Sequence, residues 1–494
     1  MFGDTHHLYI YTHTQRKKTT HYHLYVLKYN KYIFKYMMPN HILPLLLLVP
    51  LLGACVSYDK ESSSIAWAAP SALVAPISYD AATSLYTLTL AQPSPSGSRP
   101  LLVELDNSNL WRDCVNPRPY TSPAFKPLLC NNTAACDAAA SCTSFICGSA
   151  GCYDDQCYTG SGFAYPACSN YTCASWASVT GVGTLGTSVW TDSVSLLATD
   201  GAKLVRPSPV TMRDFSFICA DNTLLVSNRI ALPAGIVGGA GLSRAPIALP
   251  TQISTKIPSI ARKFAYCLPS GPGRPGPIFF GDGPYVFGSL DLSKLLKFTP
   301  LQTFSRQKDA YFLSIQSISV DGAALPIPAS LFSITKNKTG RSTAYVGGTR
   351  LSSGNPYTLL TPSIYGMLAA RFVKACAARG IKAVPAVGPF EHCFDASSAR
   401  VSKLGFDVPP IDIVLKKKVT WRILGANSVV KVNKNRAFCL AFQKTDQYED
   451  RSIVIGSFQQ QNAFFQFDLV RSRLGVIPTL LTLNTTCSTF NFAY

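Results

Sequence analysis

Two short segments hold the side chains that could do chemistry. LLVELDNSNLW (101–111) carries Glu104 and Asp106 ahead of a tryptophan, and YVGGTRLSSGNPYTLL (345–360) carries Ser352 in a turn rich in Gly and Ser. Two carboxylates held close together cannot both ionise, so they share a proton and can jointly activate a water for hydrolysis. A serine hydroxyl cannot take the ionised role in such a pair. If the two segments face one another, one of the two acids is missing.

The histidines argue against other nucleophile chemistries. Six of the seven (His6, His7, His13, His21, His23, His41) lie in the first 41 residues, and His392 alone follows. A His-based zinc site needs more imidazoles than the later chain has, and a Ser-His-Asp relay or a Cys-His pair would have to rest on His392 alone. His392 stands beside Cys393 in a short β segment and is given a structural or surface role. No cofactor and no metal is implied.

The elements that must position these turns are strands. The 494 residues are 47% hydrophobic and only 14% charged, enough to bury a large core divided into two lobes of about 200 residues each. Short alternating runs such as SLYTLTLA (84–91), KFAYCLP (263–269), PIFFGDGPY (277–285) and YFLSIQSISV (311–320) are separated by Gly, Pro and Ser, an all-β pattern. One helix is expected in SIYGMLAARFVKACAARG, with Ile364, Leu368, Phe372 and Cys376 on one i,i+4 row and Gly380 as its stop. Cys376 therefore points inward as a free thiol. Neither a repeat of solenoid length nor a second apolar run of membrane-spanning length follows.

Sixteen cysteines, crowded between Cys114 and Cys173, read as a disulfide framework from an oxidising compartment. Setting aside Cys376 and Cys55, which falls in the leader, leaves an even number. Spacing does not give the pairing, and Cys393 with Cys439 is the one bridge put forward. From Met38 the run MPNHILPLLLLVPLLGAC is an apolar core too short to span a membrane, with a small-residue site at Ala66-Trp67-Ala68. Residues 38–68 are read as a signal peptide, and 1–37 as upstream sequence foreign to the native protein. Secretion, with no membrane anchor after cleavage, is the resulting expectation. Sequons at Asn131, Asn170, Asn337 and Asn484 fit that route.

The formal net charge is +19, most of it beyond the leader. Such a charge speeds encounter with acidic polysaccharide or an acidic enzyme, and a secreted chain makes nucleic acid an unsuitable partner. Lys416-Lys417-Lys418 and Lys431, Lys434 and Arg436 are basic clusters, and runs of this kind are most often solvated faces.

The SNLW ending of the first turn resembles the segment after the first catalytic turn of pepsin-like aspartic proteases. Counting back from Trp111 puts Glu104 in the aspartate slot, with Asp106, two residues on, as the alternative acid. Strand alternation would aim both to the same side. The second turn matches in position and flanks but offers Ser352. Further matches run through GIVGGAGLSRAPIALPTQIS (235–254), RKFAYCLPSG (262–271), GPFEHCFD (388–395), GANSVVKVNKNRAFCLAF (425–442) and SIVIGSFQQQNAFFQFDLVRSRLGV (452–476). Over residues 70–494 the chain resembles the plant xylanase-inhibitor family, which includes the carrot extracellular dermal glycoprotein and the legume basic 7S globulins.

The resemblance implies an all-β, bilobal pepsin-like fold with a few short helices, an N-terminal lobe over 69–295 and a C-terminal lobe over 296–494. It further implies a secreted protein of the apoplast that has lost peptidase activity with the second aspartate, and that in several relatives blocks microbial endoxylanases or xyloglucanases. The partner expected is then a secreted glycoside hydrolase. The alternatives are an aspartic endopeptidase of atypical sequence and a 7S globulin-like storage or peptide-binding protein. Two departures stand out. Glu104 replaces an aspartate that the family's first turn generally keeps. In addition, IPTLLTLNTTC (477–487), matching the loop from which inhibitory relatives insert a basic or imidazole side chain between the target's two catalytic carboxylates, has no His, Arg or Lys.

Overall fold

The computed structural model describes residues 70–90, 100–114, 122–128, 174–179, 183–220, 233–304, 310–339, 342–445 and 450–494. The expectations for residues 1–68, Asn131 and Asn170 lie outside these residues, as does the side chain of Asn337. Ala69–Tyr494 is one compact unit.

Strands dominate, as the alternating runs require. The backbone of the molecule is an antiparallel sheet in which Ala72–Asp80 pairs with Gly276–Gly281, and that strand with Lys263–Cys267. The sheet continues through Phe464–Asp468, Arg473–Ile477 and Lys297–Gln302. It thus takes strands from both sides of the expected lobe boundary at 295/296. Its centre is aromatic because Phe264 lies opposite Phe467 and Tyr266 opposite Phe465, with Phe264 and Phe467 stacked at 4.6 Å between ring centroids. Such cross-strand ring pairs add about 0.5–1.5 kcal/mol to the area they bury. Cys267–Cys487 closes a loop of 220 residues across the same region.

Either side of this sheet carries the same local arrangement. In the N-terminal half, Gly238–Gly241 lies between Pro100–Glu104, to which it is parallel, and Leu110–Asp113, to which it is antiparallel. In the C-terminal half, Ile453–Ile455 lies parallel to Thr349–Leu351 and antiparallel to Thr358–Leu360. The outer strand is in turn parallel to a further strand in both cases, Val210–Ala220 in the first and Phe442–Lys444 in the second. The two candidate turns, 105–109 and 352–357, are the loops that this geometry projects from each half. Gly239 is required in the first, since a Cβ there would sit 1.9 Å from Glu104 Oε2 and 2.2 Å from Trp111 Nε1.

The expected helix is present as Pro362–Ala378, with Pro362 at its first turn and Ile364, Leu368, Phe372 and Cys376 buried. Gly380 adopts φ +74° and closes it, its N–H donating to Ala377 O while Ile381 N–H reaches Cys376 O. Cys393 is bonded to Cys439, across adjacent antiparallel strands, and Cys114 to Cys219. Cys376 is the free cysteine among the described residues. Burial pushes its thiol up to about 12, so it is both enclosed and un-ionised at neutral pH. Alkylation with iodoacetamide at pH 8 is expected to leave Cys376 unmodified in the native protein and to label it after guanidinium unfolding. Equal labelling in both states, read by peptide mapping, would contradict the inward placement.

Candidate functional site

Glu104 ends its strand and is fully buried. Its Oε2 accepts from Trp111 Nε1–H at 2.6 Å and from Asn107 Nδ2 at 2.9 Å. Its main-chain carbonyl accepts from Leu242 N–H at 2.9 Å. Trp111 belongs to the SNLW segment, so the tryptophan that marks the turn in the sequence holds the turn's first acid inside the N-terminal half. These two hydrogen bonds, in a site closed to solvent, fix the carboxyl group in place.

Asp106 faces the other way, which corrects the expectation that it shares Glu104's side. The strand stops at Glu104, Leu105 and Asp106 lie in the turn, and the period-two alternation does not extend through a turn. Asp106 Oδ2 is ion-paired with Arg350 Nη1 at 2.7 Å and accepts a weaker bond from Ser352 Oγ at 3.4 Å. The side chains of Asp106 and Arg350 are 18% and 24% exposed, whereas Ser352 is buried. The partly accessible carboxylate between the two turns is therefore matched to a guanidinium and a hydroxyl, where a hydrolytic pair would place a second carboxylate.

The residue that joins the turns is one the sequence analysis passed over. Ser353 Oγ donates to Val103 O at 2.6 Å and accepts from Leu105 N–H at 2.8 Å. A single buried hydroxyl from the C-terminal half thus satisfies a donor and an acceptor on the first turn's backbone. Glu104 and Ser352 immediately precede the two partners of this bridge, Leu105 and Ser353. The second turn is braced from behind by Gln460, whose Nε2 donates to Ser352 O at 2.8 Å and whose Oε1 is bonded by the Tyr266 hydroxyl. The doubled serine in LSSG was the available signal.

His392 stacks on Tyr365 with ring centroids 6.0 Å apart. Among the described residues no group of three or more His, Cys, Asp or Glu side chains could hold a metal ion.

With this geometry in hand, the matches to known proteins are specific. Residues 86–282 match the xylanase inhibitor N-terminal family model and residues 310–477 the xylanase inhibitor C-terminal model. A probable aspartic proteinase, GIP2, from Nicotiana benthamiana is 36% identical over 438 residues, covering 86% of this chain and 92% of the relative.

The chain belongs to the plant xylanase-inhibitor family.

Its structure is similar to the crystal structure of edgp, with a TM-score of 0.73 and 35% identity over 86% of this chain and 99% of the other. It is also similar to conglutin gamma, a basic 7S globulin from lupine seeds, with a TM-score of 0.69 and 27% identity over 86% of this chain and all of the other. The fold is accordingly the all-β, bilobal, aspartic-proteinase-like one, as expected. In this family member the two turns form a structural junction. Replacing Ser353 with Ala leaves Val103 O and Leu105 N–H buried without their partner, at a cost of about 1–3 kcal/mol. Urea unfolding of Ser353→Ala measures this, and a stability within error of the parent would show that the bridge carries no weight.

Proposed function

We propose that this family member is a secreted plant protein without peptidase activity that inhibits a microbial cell-wall-degrading glycoside hydrolase, an endoxylanase or a xyloglucanase. Residues 38–68 then serve as its signal peptide, and 69–295 and 296–494 as its two lobes. The observation that carries the reading is the Asp106–Arg350 ion pair beside Ser352. Glu104 and Ser352 hold the former catalytic positions, one sequestered by Trp111 and the other lacking a carboxylate. Asp106, the acid left near the junction, is already matched to a cation.

The inhibitory surface in this reading surrounds loop 477–487. The loop is short and ordered, with 3-10 turns at Leu480–Leu483 and Cys487–Thr489, and the Cys267–Cys487 bridge anchors it to the central sheet. It has no basic residue of its own, but two arrive from elsewhere in the chain. Arg422 lines a pocket of about 300 Å³ together with Leu295, Leu424, Ile477, Pro478 and Leu483. The exposed Lys403 donates from Nζ to Asn484 Oδ1. Arg422 is held by two 2.8 Å bonds to Asp412 and keeps a 57% exposed side chain, and its hydrogen bonds to that carboxylate push its pKa further up. Arg422 on its fixed stem in the lining of this apolar pocket, with Lys403 nearby on Asn484, suits a target whose active site is a pair of carboxylates. Asn484 is exposed in a left-handed turn, and a glycan there would stand at the edge of the same surface.

Titration of the secreted protein against an endoxylanase and a xyloglucanase is expected to abolish one hydrolase activity at near-stoichiometric protein. The same preparation should show no pepstatin-sensitive casein cleavage at acid pH. Arg422→Ala with Lys403→Ala should weaken inhibition about tenfold or more. Absence of inhibition at micromolar protein would favour a storage or peptide-binding role like that of a seed globulin, and pepstatin-sensitive cleavage would overturn the loss of the acid pair.

A further inference from the structure

The four-stranded sheet formed in order by Ala383–Val384, Cys393–Asp395, Ala437–Leu440 and Val429–Val432 stops at its last strand while its cross-strand rows are still running. On one face Val384 lies opposite Cys393, Cys393 opposite Cys439, and Cys439 opposite Val430. In the neighbouring row, on the other face, Ala383 lies opposite Phe394, Phe394 opposite Phe438, and Phe438 opposite Lys431. The first row finishes on a valine and the second on a lysine. Among the described residues, no backbone hydrogen bond to Val430, Lys431 or Val432 comes from beyond Ala437–Leu440. The outer side of Val429–Val432 is thus the edge of the sheet.

The two rows present different chemistry at that edge. Val430 and Val432 are half-buried and pack with Val384, Val387 and Phe390 around the Cys393–Cys439 bridge. Lys431 is exposed, its Nζ 5.9 Å from the centre of the Phe406 ring. Among the described residues neither it nor the exposed Lys434 and Arg436 of the turn that follows is ion-paired with an acid. A lysine on an edge commonly blunts it, because a neighbouring strand would have to lay apolar side chains against the charge. That rejection applies to a neutral or a basic strand. An acidic side chain opposite Lys431 turns the cost into an attraction, so the same residue selects one kind of strand by refusing the others.

We infer that Val429–Val432 is a docking edge for an extended acidic segment of another protein, added to the sheet as a further strand. Strand addition takes its affinity from main-chain hydrogen bonds and its specificity from alternate side chains. Successive residues of a strand point to opposite faces, so the two rows dictate the pattern of the segment. It carries apolar, β-branched residues where it continues the row ending on Val430, and aspartate or glutamate where it continues the row ending on Lys431. A second copy of this chain does not fit, since pairing the edge with itself would gather Lys431, Lys434 and Arg436 of both copies in one place. The inference rests on this edge alone and not on hydrolase inhibition.

The test uses the full chain from a secreting host and, as the probe, a capped hexapeptide of alternating glutamate and valine, with binding followed by titration calorimetry at neutral pH. The parent is expected to bind it about fivefold or more tightly than a peptide of the same composition with the glutamates and valines in separate blocks, and than the alternating peptide with lysine in place of glutamate. Lys431→Glu should reverse the preference between the acidic and the basic peptide. Lys256→Glu, at an exposed position on the helix Leu249–Lys256 of the N-terminal half, should leave that preference in place. N-methylation of the valines in one peptide and of the glutamates in another should abolish binding of at least one of the two, because one alternate set of N–H groups faces the edge. No binding of the alternating peptide at millimolar concentration would overturn the proposal. Equal losses in Lys431→Glu and Lys256→Glu would also overturn it, by showing attraction to net charge alone, and binding that survives both methylations would exclude strand addition.

Discussion

One hydroxyl governs how the two halves of the molecule meet. Ser353 crosses from the C-terminal half to take both the Leu105 N–H and the Val103 carbonyl, and both groups are buried where no solvent can replace it. The contacts around it extend the same junction. Arg350 neutralises Asp106, the Tyr311 hydroxyl donates to Leu242 O at 2.7 Å, and Gln461 Nε2 donates to the Tyr86 hydroxyl at 2.9 Å. Beneath them the shared sheet, with its Phe264–Phe467 stack and the Cys267–Cys487 bridge, prevents the halves from separating.

In the proposed reading this junction stands where a hydrolytic acid pair would. A hydrolytic acid pair needs two carboxylates brought close enough for one proton to serve both. Here the first turn directs one acid into its own half, onto Trp111, and the other onto a guanidinium. Arg350 lies two residues before Ser352 in the same segment, and both side chains reach the Asp106 carboxylate, so the second turn offers it a cation and a hydroxyl. The interaction across the junction is thus one of opposite charges attracting. In a partly exposed setting that attraction is modest, and its consequence is placement of the turns more than overall stability.

Much of the fold was legible because its rules are local. Alternating apolar runs give strands, and the i,i+4 row from Ile364 to Cys376 with Gly380 behind it gives a helix that ends where it does. The Cys393–Cys439 bridge also appears as put forward. The duplicated strand arrangement was not legible, since GGAG (238–241) and IVI (453–455) fill equivalent places with dissimilar residues. One is stripped of side chains to admit Glu104 and Trp111, and the other packs as an ordinary core strand. The site was legible in its residue types and misread in its directions. Periodicity aimed Asp106 with Glu104, and the turn reversed it. Likewise, loop 477–487 lacks basic residues in sequence, yet Arg422 comes to it from a strand and Lys403 from a turn folded alongside, a proximity that spacing along the chain cannot reveal.

The account stands or falls on whether the meeting of the turns is a structural contact. A double-mutant cycle in urea unfolding, using Asp106→Asn, Arg350→Gln and the two combined, isolates the interaction across the junction. A favourable coupling of about 1 kcal/mol or more is predicted, as for a partly buried, well-aligned pair. Coupling indistinguishable from zero would mean that Asp106 and Arg350 do not hold the turns together, and would contradict the reading of this site as a junction in place of an acid pair.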